Sequence, residues 1–150
     1  MLRKWTSKDP KTEFAQLIPK ALRMIGSVIL GQARELCPIQ SGRLKGSLTF
    51  ALAGEQSTPK KPAGPGDIIG KPSSPNEVWI GTNVEYAEAV EYGTRPYEIN
   101  APVKIKGVGW RYIKRHPGIS GQSYLRHALD IERKRSIKLL RDAIEADYGK

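Results

Sequence analysis

Val78-Trp79-Ile80-Gly81-Thr82-Asn83-Val84-Glu85-Tyr86-Ala87-Glu88-Ala89-Val90-Glu91-Tyr92-Gly93-Thr94 is the stretch that decides the reading of this 150-residue chain. Its first residues are β-branched and aromatic, which fits a strand over 77–82. Residues 85–92 then change to a pattern that suits a short helix, with Asn83 as a candidate N-cap. Gly93 supplies the positive φ that commonly ends a helix. A strand running directly into a helix excludes an all-helical bundle and an all-β barrel, and points to a mixed α+β chain.

Working outward toward the N-terminus, apolar residues fall at 14, 17, 18, 21, 22, 25, 28, 29, 33 and 36, a 3.6-residue stripe. A helix is expected over 18–36, with Pro19 in its first turn and Pro38 just past its end. Residues 1–13 read as a mobile basic arm. It is followed by no long apolar run, so a secretion signal is not expected. Leu44, Gly46, Leu48, Phe50 and Leu52 alternate with smaller or polar residues, which reads as a half-buried strand fed by a turn at Ser41-Gly42. Residues 54–75 hold five prolines and four glycines. Neither a helix nor a central strand survives that density, so a long flexible loop is expected. Within it Lys60, Lys61, Ile68, Ile69 and Lys71 read as a partner-docking segment, Ile68-Ile69 being an aliphatic anchor in a polar tract.

Toward the C-terminus, strands are expected over 97–106 and 109–115. In the second, Trp110 and Tyr112 face the core and a basic row faces outward. His116-Pro117-Gly118 breaks the chain. A long helix over about 123–148 follows, with Leu125, Ala128, Leu129, Ile137, Leu140 and Ile144 facing inward. The expected architecture is one α+β domain spanning 1–150, a small antiparallel sheet packed against two long helices.

Composition narrows function. Lys and Arg number 25 against 15 Asp and Glu, a net charge of +10. Such a balance speaks about partners rather than fold. The longest aliphatic run, Val28-Ile29-Leu30, is far short of the ~20 residues that span a bilayer, and no membrane partner is expected. One cysteine, Cys37, cannot form an internal disulfide or a cysteine-rich zinc site. Gly64–Lys71 superficially resembles a phosphate loop, but its glycine spacing is wrong and Pro72 follows the lysine. His116 and His127 lack partners at metal-ligand spacing. No catalytic residue, cofactor or metal is therefore expected.

Charge is also unevenly spread. Residues 77–98 carry five acids and one base, and residues 99–115 five bases and no acid. Between copies of one chain this contrast would set register, with Glu85, Glu88, Arg95, Lys104, Lys106 and Arg111 as the candidate contacts. The basic excess alone also fits an alternative, a DNA-binding accessory protein, although no helix-turn-helix or zinc finger is visible.

Three local motifs occur in order: Cys37-Pro38-Ile39-Gln40-Ser41-Gly42-Arg43-Leu44-Lys45-Gly46-Ser47-Leu48; the Val78–Thr94 stretch with Tyr86-Ala87 and Glu91-Tyr92-Gly93-Thr94; and Tyr124-Leu125-Arg126-His127-Ala128-Leu129. Together they resemble the tail-component family of tailed bacteriophages, the tail-completion or head-to-tail joining neck proteins. The resemblance covers about residues 14–145. Ser41 stands where the family's pattern has threonine, which keeps the hydroxyl. Ser123-Tyr124 replaces Pro-Phe, which leaves the start of the last helix less firmly set. The motif positions are Pro38, Ser41, Gly42, Leu44, Ser47, Tyr86, Glu91, Tyr92, Gly93, Thr94, Leu125 and Ala128. Glu91 is expected to be partly buried and paired with an arginine such as Arg43 or Arg126.

The resemblance implies a non-enzymatic virion protein, made in the host cytoplasm and placed in the neck. There it would form a homo-oligomeric ring, often six-fold, between the head connector or stopper and the tail-tube or tail-terminator protein. Double-stranded DNA would pass through the lumen without sequence-specific binding.

Overall fold

A computed structural model of the chain describes residues 10–39, 42–55 and 70–148. The expected 1–13 arm, up to residue 9, and the docking segment Lys60, Lys61, Ile68 and Ile69 lie outside the described residues. The fold is mixed α+β, with two long helices, two short ones and small antiparallel sheets. Among the described residues the strands form three separate two-stranded ribbons rather than one sheet. The chain divides into two compact units, residues 1–84 with 125–150, and residues 85–124.

The first unit is built on helix α1 (Pro10–Leu36). It starts eight residues before the expected boundary and runs through Pro19. That proline removes the bond to the Ala15 carbonyl. Both Ala15 and Pro19 are exposed, so water can satisfy the orphaned oxygen. Pro10 occupies the first turn, where the missing N–H costs nothing. Leu17, Ala21, Ile29, Leu30 and Ala33 are buried along one face.

After the Gly42 turn the chain forms a five-residue helix, α2 (Arg43–Ser47), where a strand was expected. Gly42 sits at φ 73° and its carbonyl accepts from the Gly46 N–H at 2.9 Å. Leu44, Ser47 and Leu48 are buried at i, i+3 and i+4, a helical spacing. The apparent alternation depended on Gly46, which has no side chain to bury. Strand β1 (Thr49–Leu52) follows and pairs antiparallel with β2 (Val78–Gly81). The ribbon lies on α1. A β-carbon on Gly26 would come within 3.0 Å of Val78 and 3.1 Å of Phe50, so the absent side chain sets the helix-to-ribbon distance.

In the second unit, α3 (Ala87–Tyr92) begins two residues later than expected. Its N-cap position falls on Tyr86 rather than Asn83 and carries no side-chain cap. Strand β3 (Gly93–Thr94) pairs with β6 (Ile119–Ser120). Between them rises a long hairpin, β4 (Tyr97–Ile105) and β5 (Gly109–His116), closely matching expectation.

Helix α4 (Tyr124–Tyr148) leaves the second unit at its first residue. Its buried stripe is Tyr124, Ala128, Glu132 and Ser136, in steps of four. The expected inward set is therefore only partly right: Ala128 is buried, but Leu129 and Ile137 are more than half exposed and Leu140 is also exposed. The side of α4 that is buried therefore runs through Tyr124, Ala128, Glu132 and Ser136, and the larger aliphatics lie on its flank. No helix among the described residues is long and apolar enough to cross a membrane.

Candidate assembly surfaces

The three sequence motifs become the joints of the fold. Within the first, Ser47 is completely buried. Its hydroxyl donates to the Leu44 carbonyl at 2.9 Å and lies 2.7 Å from the Thr82 hydroxyl. Thr82 Oγ1 in turn accepts from the Val84 N–H at 3.2 Å. With Ser47 donating to Leu44, Thr82 must donate to Ser47, and every hydroxyl proton has an acceptor. The relay ties the first motif to the second across 35 residues. Arg34 of α1 adds a bond from Nη2 to the Leu48 carbonyl at 2.6 Å. Partial burial lowers the tendency of its guanidinium to stay charged.

The second motif meets the residues that lead into the third through backbone. The Gln122 N–H donates to the Val90 carbonyl at 2.8 Å and the Ser123 N–H to the Glu91 carbonyl at 3.0 Å. The Ser123 hydroxyl donates to the same carbonyl at 3.4 Å, while Ile119 N–H donates to Thr94 Oγ1 at 3.1 Å. Gly93 makes this possible. It has φ 80° and ψ 178°, a region open essentially to glycine alone, and a β-carbon there would lie 2.4 Å from the Ile119 carbonyl oxygen. Gly121 faces it just as closely: its β-carbon would fall 2.5 Å from the Tyr92 carbonyl carbon. Sequence reading singled out Gly93 but missed Gly121; the signal was the Pro117-Gly118-Ile119-Ser120-Gly121 density of small and turn residues.

Of the other motif positions, Leu44, Glu91 and Ala128 are buried, Pro38, Thr94 and Leu125 are half-buried, and Tyr86 and Tyr92 are exposed. Ser41 lies outside the described residues. The burial expected of Glu91 is found. Cys37 is buried and its thiol pKa is raised by that burial. It packs at the end of α1 as a small apolar side chain. His116 stacks on Tyr97 at 5.0 Å between ring centres and accepts from the Gly118 N–H through Nδ1, while His127 is exposed. Among the described residues no group of three or more His, Cys, Asp or Glu could hold a metal.

The candidate contact residues Glu85, Glu88, Arg95, Lys104, Lys106 and Arg111 are all exposed, as is Lys71. Around them the hairpin departs from expectation. Trp110 is 68% exposed and Tyr112 64%, so the aromatic row faces solvent and not a core. The reason is topological. Among the described residues β4 and β5 pair only with each other, and a two-stranded ribbon buries a face only if another layer lies on it. The strand register places Lys104 opposite Trp110, Pro102 opposite Tyr112 and Tyr97 opposite His116 on one face. Val103 opposite Arg111 and Ala101 opposite Ile113 make the other face, where Ala101, Val103 and Ile113 are half-buried. A second apolar feature lies in the first unit. Leu17, Ile18 and Leu22 of α1 and Leu140, Ala143 and Ile144 of α4 line a groove of about 210 Å³.

No protein-family model, curated protein or solved structure matches this chain.

Proposed function

We propose that this chain is a structural component of a bacteriophage neck, a ring subunit joining the head connector to the tail tube, with DNA passing through the lumen. The observation that supports it best is the relation among the motifs. The residues that carry the resemblance do not converge on a reaction centre. They lock the turns: Gly42 and Ser47 at one joint, Gly93 and Thr94 at another. A motif set of this kind belongs to a scaffold that holds its surfaces in fixed directions.

Those surfaces suit assembly. Large aromatic and cationic side chains gather on the hairpin, and acidic ones precede it in the chain. Aromatic residues and arginine are enriched at protein interfaces. The ring subunit acts by position. Rigid helices and ribbons form its wall, and complementary charges choose the neighbour and its register.

The test is loss of the chain from the particle. Virions assembled without it should accumulate as separate filled heads and tails, and adding purified protein should restore joining, seen by negative-stain imaging. Normal joining without the chain would sink the proposal.

A further inference from the structure

We infer that the β4–β5 hairpin is a docking arm whose receptor is the acidic α3 face of a second copy of this chain. The inference rests on the ring reading above, for which it names the contacting surfaces.

The argument begins with the hairpin itself. Nine- and eight-residue strands form an isolated ribbon, a structure that is marginal in water without a further layer. One face carries Tyr97, Pro102, Trp110 and Tyr112, all exposed. Two rings of this size each bring roughly 150–250 Å² to an interface. Lys104 and Lys114 stand on the same face, by register and by the two-residue period of the strand. From residue 99 to residue 115 there is no acid to balance them. An uncovered aromatic face with a cationic border calls for an occupant that is partly apolar and acidic.

This chain carries such a surface. Glu85 and Glu88, with Tyr92 one helical turn further on, are exposed together beside and along α3. The rest of that segment is occupied: Val90, on the side away from Glu88, is half-buried, Glu91 beside Glu88 is buried, and α3 runs into the β3–β6 joint. The exposed side is thus held rigidly outward. Hairpin and α3 are both left uncovered within one chain, so they do not cover each other there. The pairing is between copies, with Lys104 and Lys114 opposite Glu85 and Glu88 and the Trp110–Tyr112 row against Tyr92. Because donor and receptor are different surfaces, the contact is head-to-tail and leaves one of each free at every step. It generates a closed ring where the rotation allows and a filament where it does not.

A nucleic acid is the competing occupant, since stacked aromatics and cations also fit single strands. It leaves the acidic aromatic face of α3 without a role, and for that reason the second copy is favoured.

The experiment uses the full chain in sedimentation equilibrium over a concentration series. Two variants are made, K104E/K114E on the hairpin and E85K/E88K at α3, with thermal melts confirming that both stay folded. Wild type should associate, and each variant alone should associate at least about tenfold more weakly, the effect of losing close charge pairs. An equimolar mixture of the two should recover association as alternating subunits, because the hairpin of each variant is complementary in charge to the α3 face of the other and only contacts between identical variants are repelled. Three outcomes overturn the inference: a wild-type chain that stays monomeric to about 1 mM, variants that associate like wild type, or a mixture that recovers nothing. So does a labelled oligonucleotide that binds wild type, is released by W110A, and leaves self-association untouched. The readout needs no virion, so a failure of head–tail joining to depend on the chain would remove the neck proposal and leave this result standing.

Discussion

Replacing Gly93 with alanine tests how the joint between α3 and the β3–β6 ribbon is held. The alanine methyl would meet the Ile119 carbonyl oxygen at 2.4 Å and the Gly121 nitrogen at 2.6 Å. Both are backbone atoms, so no side chain can swing aside. At φ 80° with ψ near 180° the backbone alone costs about 1–3 kcal/mol for a non-glycine residue. Relieving the overlap means parting the two-residue ribbon, with its hydrogen bonds worth about 1 kcal/mol each. The expected loss is about 3–5 kcal/mol, which for a chain of this size corresponds to a fall in melting temperature of roughly 10 °C. Gly107 is the control. It lies in the same unit, at φ 84°, but a methyl there meets nothing within 4 Å. Its substitution should cost only the left-handed penalty, about 1–2 kcal/mol. Urea and thermal unfolding of both variants, followed by circular dichroism, give the comparison. If G93A is no less stable than G107A, close approach across the joint is not what holds it.

Other consequences follow from polar groups at buried positions. Ser136 is buried and its hydroxyl has no hydrogen-bond partner among the described residues, so S136A should leave stability unchanged or raise it by up to about 1 kcal/mol, measured by the urea midpoint. S47A breaks the Leu44–Ser47–Thr82 relay and should cost about 1–2 kcal/mol, whereas S73A, at an exposed position, should cost almost nothing. Burial holds the Cys37 thiol pKa above its ordinary 9.0. The unfolded chain therefore ionises first. Stability is independent of this group below that pH and should fall as pH rises past it, a decline that C37A should remove. The same burial predicts slow reaction of the native thiol with a disulfide reagent and rapid reaction after unfolding.

Much of this architecture was readable in the chain. The hairpin over 97–116 announced itself through alternation, the long helices through their 3.6-residue stripes, and Gly93 through its position after an amphipathic turn. Local backbone chemistry fixes these features within a few residues of the chain. Two departures, the α2 segment and the early start of α1, arose because a glycine mimicked alternation and because Pro19 sits inside α1 where the Ala15 carbonyl it leaves unbonded belongs to an exposed residue.

Burial was a different matter. Alternation showed that Trp110 and Tyr112 share one face of their strand, but not that this face looks outward. That depends on whether a third layer exists, and the described strands pair only in twos. Likewise the aliphatic stripe of α4 could be counted, yet the side of the helix that is buried runs through Tyr124, Ala128, Glu132 and Ser136 instead. The Ser47–Thr82 relay and the Gly93–Gly121 contact join residues far apart in sequence, and such encounters have no local signature. Period and turn chemistry belong to neighbours along the chain and can be read there; which side of each element meets protein and which meets water is decided only when the elements are brought together.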